Sequence, residues 1–141
     1  MRRTQVRERR SGCPIGIALD LLGDPWTLLV VRDLLFKGAR SFSDLLQGGE
    51  GIATNILADR LARLEAGGVL AKHPDPDDAR RSIYRLSEKG MDLAPVLVEL
   101  VVWAAKYERT DAPPATVKAM RADRDLFLKP LRAAWKASRV R

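Results

Sequence analysis

The chain has 141 residues and a mass of 15.7 kDa, which fits one domain with an appendage. Hydrophobic residues make up 46%, enough for a core, and this excludes disorder over most of the length. A single Cys and a single His exclude an intrachain disulfide and a Cys/His zinc cluster, and we expect no cofactor. No apolar run approaches the roughly 20 residues that span a bilayer, and no signal segment follows the basic start. We therefore expect a cytoplasmic protein without membrane contact.

The charge is basic overall but uneven along the chain. A net charge of +7 and a pI near 10.1 predict a polyanionic partner, with nucleic acid first. The excess lies at the two ends, residues 1–10 and 106–141, whereas residues 11–105 are slightly acidic. The basic ends either contact phosphate or are simply solvated, and a DNA site in the centre must depend on local geometry.

Two helices are predicted to open the folded part, after a flexible arm at residues 1–12. Apolar residues at helical spacing predict the first helix from Pro14 until a glycine interrupts it. Asp24 is expected to cap the second helix, with Pro25 as its first residue. The second helix is apolar around most of its circumference, so we predict that it is central and buried.

A short helix, a tight turn and a longer helix are predicted next. The short helix covers residues 41–46, and the glycine-rich turn at 47–51 lacks the Lys-Ser/Thr pair that follows a phosphate-binding loop. The longer helix covers residues 52–66, and a Gly-Gly pair ends it. Its buried face is predicted to contain Ile56, Leu57, Leu61 and Leu64.

A β-hairpin follows, with strands at residues 69–72 and 82–86 and a polar loop between them. This order predicts a mainly α fold with a small β-hairpin, a winged helix-turn-helix with an extra C-terminal helix. The first turn of the longer helix would enter the major groove, which is about 12 Å wide. The hairpin tip would reach the DNA backbone or the minor groove.

A fifth helix is predicted from Ser87 to about Arg109, with a kink at Pro95. Between residues 93 and 105 it is apolar all round, so it requires a partner on each side. A linker follows, and a last helix begins at Thr116, with a kink or restart at Pro130.

Short motifs along residues 13–104 support a family resemblance. They are Cys13-Pro14-Ile15, Trp26-Thr27-Leu28-Leu29, Arg32-Asp33-Leu34-Leu35, Arg40-Ser41-Phe42-Ser43-Asp44-Leu45, Gly51-Ile52, Leu57, Arg60-Leu61, Leu64-Glu65, Gly68-Val69-Leu70 and Tyr84-Arg85-Leu86-Ser87-Glu88-Lys89-Gly90. In combination they resemble the HxlR-type bacterial transcriptional regulators. The resemblance implies a winged helix-turn-helix homodimer that binds operator DNA, with the first and last core helices in the dimer contact.

The sequence departs from the family pattern around the turn. Gly49-Glu50 stands where the family usually has Leu-Pro, and Ala53 replaces a Ser that would cap the next helix or contact phosphate. The resemblance does not cover the tail. We therefore predict an arm at 1–12, a DNA-binding and dimerisation domain at 13–109 and a basic helical extension at 110–141.

The candidate DNA contacts lie on the recognition helix, at about 53–66, and on the wing, at about 69–86. Asn55 can pair with adenine through its amide, but it and Thr54 could instead cap the helix. Asp59 could accept a hydrogen bond from cytosine or pair with Arg63, its i+4 neighbour, and we favour the pairing. The full candidate set is Ser41, Ser43, Thr54, Asn55, Arg60, Arg63, Arg80 and Arg81.

Several of these candidates have a structural alternative. Arg60 fits an ion pair as well as it fits phosphate, and capping alone explains Ser41 and Ser43 equally well. Arg80 and Arg81 lie on a loop beside the groove, where adjacent arginines suit phosphate or a narrow minor groove. Three aspartates on the same loop partly cancel their charge.

Two further sets of residues concern sensing and dimerisation. In some members of the family an N-terminal Cys senses electrophiles or oxidants, so Cys13 is a candidate redox sensor, although a buried, inert thiol is the alternative. Without a second Cys, a disulfide would be intermolecular or with a small thiol. The expected dimer contacts are Ile15, Leu19, Leu97, Leu100, Val101 and Trp103.

These patterns predict a transcriptional regulator that is not an enzyme and binds operator double-stranded DNA as a homodimer. No nucleophile–base pair is visible in the sequence. The alternative is a winged-helix protein-interaction or RNA-associated module without sequence-specific DNA binding, which the acidic centre and basic ends would also fit. The sequence does not identify a small-molecule effector.

Overall fold

A computed structural model describes residues 11–138, which divide into two compact units, residues 11–89 and residues 90–138. No single helix in this part of the chain is long and apolar enough to cross a membrane, although the two first helices, bent by 81°, together reach that length and composition.

The first unit is a winged helix-turn-helix. Two helices precede the short helix, the turn and the longer helix, and an antiparallel hairpin follows, with Leu70 opposite Leu86 and Pro74 opposite Ser82. A β-bridge between Ser41 and Ile83 joins the hairpin to the start of the short helix. The predicted mainly α winged helix-turn-helix with a small β-hairpin is thus confirmed. Its elements are α1 (Pro14–Leu22), α2 (Thr27–Phe36), α3 (Phe42–Leu46), α4 (Thr54–Ala66), β1 (Leu70–Pro74) and β2 (Ser82–Leu86).

One apolar core joins these elements. Helix α2 contributes three buried apolar side chains and is central, as its apolar circumference predicts. Helix α4 contributes the residues of its predicted buried face, except that Ile56 is only half-buried. The core residues are Val30, Val31, Leu35, Leu45, Leu57, Leu61, Leu64, Val69, Leu70, Ile83 and Leu86.

Some boundaries differ from the prediction by a few residues. Helix α2 begins at Thr27 and not at Pro25, because residues 24–26 form a turn in which the Asp24 carboxylate accepts the amide hydrogens of Trp26 and Thr27. Helix α4 begins at Thr54, and β1 extends to Pro74.

The predicted single helix from Ser87 to Arg109 is wrong. The chain forms a short α5 (Glu88–Met91) and a longer α6 (Ala94–Tyr107). Proline has no amide hydrogen, and its ring clashes with the carbonyl four residues earlier. The chain therefore breaks before Pro95, which lies in the first turn of α6 instead of at a kink.

The second unit contains α6 and two helices of the extension, α7 (Pro114–Ala122) and α8 (Arg124–Ala137), which pack on α6 and on each other. The unit therefore begins at residue 90, earlier than the boundary at 109/110 that the sequence suggests. The predicted restart at Pro130 lies instead at Asp123, whose carboxylate accepts the Leu126 amide hydrogen and caps α8. Pro130 lies inside α8.

Candidate nucleic-acid interface

A capping box fixes the start of α3. Ser41 Oγ accepts the Asp44 amide hydrogen at 3.1 Å, and the Asp44 carboxylate accepts the amide hydrogens of Ser41 and Arg40. These hydrogen bonds hold the pKa of Asp44 below its ordinary value. Ser41 is therefore the cap, whereas the exposed Ser43 lies in the first turn of α3.

Arg32 on α2 holds the turn between α3 and α4. Its guanidinium donates from Nε to Asp33 Oδ1 at 2.9 Å, from Nη1 to Glu50 Oε1 at 2.8 Å and from Nη2 to the Gly48 carbonyl at 3.3 Å. Lys37 Nζ donates to the same carbonyl at 3.0 Å. The ion pair lowers the pKa of Glu50. Glu50, a departure from the family pattern, thus anchors the turn to α2.

The turn comes so close to α2 that it requires glycine. A Cβ on Gly48 would lie 2.2 Å from Asp33 Oδ2, and Asp33 is only 5% exposed. Gly49 and Gly51 have φ of 92° and 70°, a region that favours glycine. Three glycines therefore bring the chain from α3 into α4 in a few residues.

Helix α4 begins without a side-chain cap. Its N-cap is Ala53, and no side chain accepts a hydrogen bond from its first turn. Thr54 and Asn55 are the first two helical residues and are exposed, as are Ala58, Asp59 and Ala62 on the same face. The capping alternative for Thr54 and Asn55 is therefore not what the structure shows.

Arg60 contacts two carboxylates. Its Nε donates to Asp24 Oδ1 at 3.1 Å, and its Nη1 donates to Asp59. Asp24 also accepts from the Thr27 hydroxyl. Partial burial raises the pKa of Asp24, but the hydrogen bonds from Thr27, Trp26 and Arg60 outweigh it and lower the pKa to about 2. The arrangement supports the ion-pair alternative for Arg60.

The expected pairing of Asp59 with Arg63 is wrong. Asp59 pairs with its neighbour Arg60, and Arg63 Nη2 donates to the Asp20 carbonyl of α1 at 3.3 Å. Arg63 lies on the edge of α4 that faces α1, so this contact satisfies a carbonyl near the end of α1.

The two wing arginines differ in their partners. Arg80 donates from Nε to Asp78 Oδ1 at 3.1 Å, and the two form an exposed ion pair that lowers the pKa of Asp78. Arg81 is exposed, and its charge also lowers the pKa of Asp44 at the start of α3. Arg81 therefore lies near the helix-turn-helix. Unlike Arg80, it forms no ion pair with another residue of the range 11–138.

Cys13 is the exposed N-cap residue of α1. The backbone amides of Gly16 and Ile15 lower the pKa of its thiol. The alternative of a buried, inert thiol is wrong, because the first turn of α1 exposes this residue. A helix N-terminus favours the thiolate over the thiol.

The expected dimer contacts fall into exposed and buried residues. On α1, Ile15 is 71% exposed and Leu19 is also exposed. On α6, Leu97 is buried in the core of its own unit, and Val101 is half-buried. The exposed large apolar residues of α6 form what we call the α6 stripe, with spacings of four, three and four: Val96, Leu100, Trp103 and Tyr107.

Sequence reasoning missed two long-range ion pairs of this site. Arg32 and Glu50 are 18 residues apart, and Asp24 and Arg60 are 36 residues apart. No local spacing indicates either pair. The predicted phosphate contacts of the arm, Arg2 to Arg10, lie outside the described residues and stay a prediction.

Comparison with known proteins identifies the family of the chain. Residues 21–112 match the model of the HxlR-like helix-turn-helix family. An uncharacterized HTH-type transcriptional regulator of Mycobacterium tuberculosis is 35% identical over 116 residues, which cover 82% of this chain and 72% of that protein. The HTH-type transcriptional regulator YodB of Bacillus subtilis is 31% identical over 96 residues, which cover 67% and 85% respectively.

Solved structures agree with this assignment. PA1607, a candidate transcription factor, has a TM-score of 0.66 at 35% identity over 74% of this chain and 72% of its own. Reduced YodB has a TM-score of 0.57 at 30% identity over 69% and 95%. Oxidized HypR, at 23% identity and a TM-score of 0.59, shares the fold. The winged helix-turn-helix and the matched residues together show that this chain belongs to the HxlR-like helix-turn-helix family of transcriptional regulators.

Proposed function

We propose that this regulator binds operator double-stranded DNA, with the first turn of α4 in the major groove and the wing beside it. The exposed, uncapped start of α4 carries the proposal. Thr54 and Asn55 are exposed there and do not cap the helix, and an Asn amide can form a bidentate pair with adenine. Their neighbours Ala58 and Ala62 are small and allow close approach.

The contacts divide into those that read sequence and those that position the protein. Asn55 and Thr54 would read base edges, whereas Arg81 and Ser43 would contact phosphate. Arg80 would do so after release from Asp78. Arg60 and Arg63 are engaged within the unit, so we assign them to the support of α4.

We infer that the DNA-binding form is a homodimer. The α6 stripe repeats at the spacing of a coiled-coil seam, and α7 and α8 pack on α6 without covering it. Ile15 and Leu19 give α1 a second apolar surface. A second copy of the chain would bury both surfaces, at about 25 cal/mol per Å².

Cys13 is the proposed sensor of this regulator. It is exposed and has a lowered pKa, which suits reaction with electrophiles or a small disulfide. YodB has been solved in diamide-treated and quinone-bound forms, and both reagents are electrophiles that a thiolate can attack. Oxidised glutathione should convert Cys13 to a mixed disulfide, release one reduced glutathione and change operator affinity, and Cys13→Ser should abolish both effects.

A gel shift with the upstream region of the protein's own gene tests the proposal. The account predicts a complex that survives excess nonspecific DNA, since specific complexes are typically at least about 10³-fold tighter. Equal affinity for the upstream region and unrelated duplexes would contradict it and favour the module without sequence-specific binding. Deletion of residues 2–10 should make the salt dependence shallower if the arm contacts phosphate.

A further inference from the structure

A groove lies in the second unit, between the end of α6, the loop after it and α7. Its cavity volume is about 640 Å³, and its lining residues all lie between 105 and 122. This volume is within the range of pockets that bind small organic molecules. The α7 side of the groove lies beyond the residues that match the family, whereas the side formed by the end of α6 and the loop lies within them.

The groove carries uncompensated positive charge. Arg109, Lys118 and Arg121 line it, against one carboxylate, Glu108. Within residues 11–138, these three cationic head groups form no ion pair. Two other arginines of the same unit do form ion pairs: Arg124 with Glu99 and Arg132 with Asp92. The positive charge of this groove is therefore available to a ligand.

Part of the groove wall is apolar, and a proline-containing loop forms one side of it. Val117 is buried at its base, and Ala105, Ala112 and Pro114 supply further apolar surface. The loop is stiff, because Pro113 and Pro114 fix the backbone and Thr110 Oγ1 accepts the Ala112 amide hydrogen at 3.3 Å. A pocket that is already formed loses less conformational entropy on ligand binding than one that must order first.

We propose that this groove binds an amphipathic organic anion, with an apolar body and one carboxylate or sulfonate. The apolar body would pack on Ala105, Pro114 and Val117, and the acid would pair with Arg109, Lys118 and Arg121. A DNA strand fits less well, because its phosphates alternate with sugars and offer no compact apolar body for the concave wall. The inference does not depend on the proposed DNA binding, because ligand binding is measured without DNA.

The test uses the full chain and two probes with one ring system. 1-Anilinonaphthalene-8-sulfonate carries a sulfonate, and N-phenyl-1-naphthylamine is its neutral counterpart. The groove variant is Lys118→Gln with Arg121→Gln. The control variant, Lys129→Gln with Lys136→Gln, changes the net charge equally at exposed sites on α8. Calorimetry gives stoichiometry and affinity, and circular dichroism compares the folds.

The proposal predicts one sulfonate probe per groove, bound about tenfold more weakly by the groove variant, as expected for loss of charged hydrogen bonds. The control variant should bind like the original protein, and the neutral probe should bind weakly to all three. Equal losses in both variants would overturn the proposal in favour of bulk charge. It would also be overturned if the neutral probe bound as tightly, or if the groove variant lost affinity for duplex DNA while keeping the probe.

Discussion

Arg60 Nε donates a hydrogen bond to Asp24 Oδ1 at 3.1 Å and so joins the middle of α4 to the turn before α2. The same carboxylate accepts the Trp26 and Thr27 amide hydrogens, at 2.8 and 3.0 Å. One side chain thus both accepts the first amide hydrogen of the central helix and holds the helix that we propose enters DNA. The orientation of α4 therefore depends on the start of α2.

This relationship predicts a pH-dependent stability. The folded pKa of Asp24 is about 2, below the ordinary value of 3.8, so its ionised form stabilises the fold above pH 3.8 and loses this effect as pH falls towards 2. Asp24→Asn should cost about 1–2 kcal/mol at pH 7, the range for a lost cap, and less at pH 3. Urea unfolding at both pH values measures it, with the exposed Asp111→Asn as control. An equal loss of stability for Asp24→Asn at pH 7 and pH 3 would contradict the stabilising role of the ionised Asp24 carboxylate.

Gly48→Ala should destabilise the first unit. Its Cβ would lie 2.2 Å from Asp33 Oδ2, so the turn or the buried carboxylate must shift, at a cost of about 1–3 kcal/mol. Gly16→Ala is the matched control, since the nearest atom there is 3.8 Å away and the residue lies within α1. Thermal unfolding should show a loss for Gly48→Ala and a slight gain for Gly16→Ala. Equal thermal unfolding midpoints for the two variants would show that the turn has room for a Cβ atom at position 48.

Arg32 should matter far more for stability than its partner Glu50. Replacement of Arg32 by Leu leaves the buried Asp33 with only a distant Lys37, 3.9 Å away, and breaking a buried pair costs about 3 kcal/mol. Glu50→Gln keeps a hydrogen-bond acceptor at an exposed position, so its effect should stay within about 0.5 kcal/mol. Chemical denaturation of the two variants gives the comparison. A larger loss of stability for Glu50→Gln than for Arg32→Leu would contradict the greater contribution of Arg32.

The homodimer proposal predicts which exposed apolar residue can be replaced by Glu without loss of the dimer. Trp103→Glu places a carboxylate within the α6 stripe and should give a monomer, because burial of an unpaired charge is costly. Leu126→Glu on α8 replaces a side chain of similar exposure, 64% against 65%, outside the stripe. Light scattering at low micromolar concentration should show the dimer mass for Leu126→Glu only. A monomer in the unmodified protein would refute the dimer itself.

The fold was predictable because its signals are local. Helical spacing predicts α1, and the turn residues around residues 69–86 predict the hairpin. The effect of the two prolines was harder to predict. Pro95 and Pro130 could each kink a continuous helix or mark the start of a new one, and tertiary packing decides the outcome at each position. The interactions that hold α4 connect residues far apart in sequence, and a single sequence carries no sign of such pairs.

The specificity ratio of Asn55→Ala tests the central claim most directly. Affinity for the operator and for an operator with mutated half-sites is measured by fluorescence anisotropy, together with the melting temperature, and Arg81→Ala is the comparison. The account predicts that Asn55→Ala loses about 1–3 kcal/mol of discrimination, with nonspecific affinity and melting temperature unchanged, because Ala53 is the N-cap. Arg81→Ala should weaken both affinities together. An intact specificity ratio in Asn55→Ala would contradict the assignment of α4 as the helix that reads the operator.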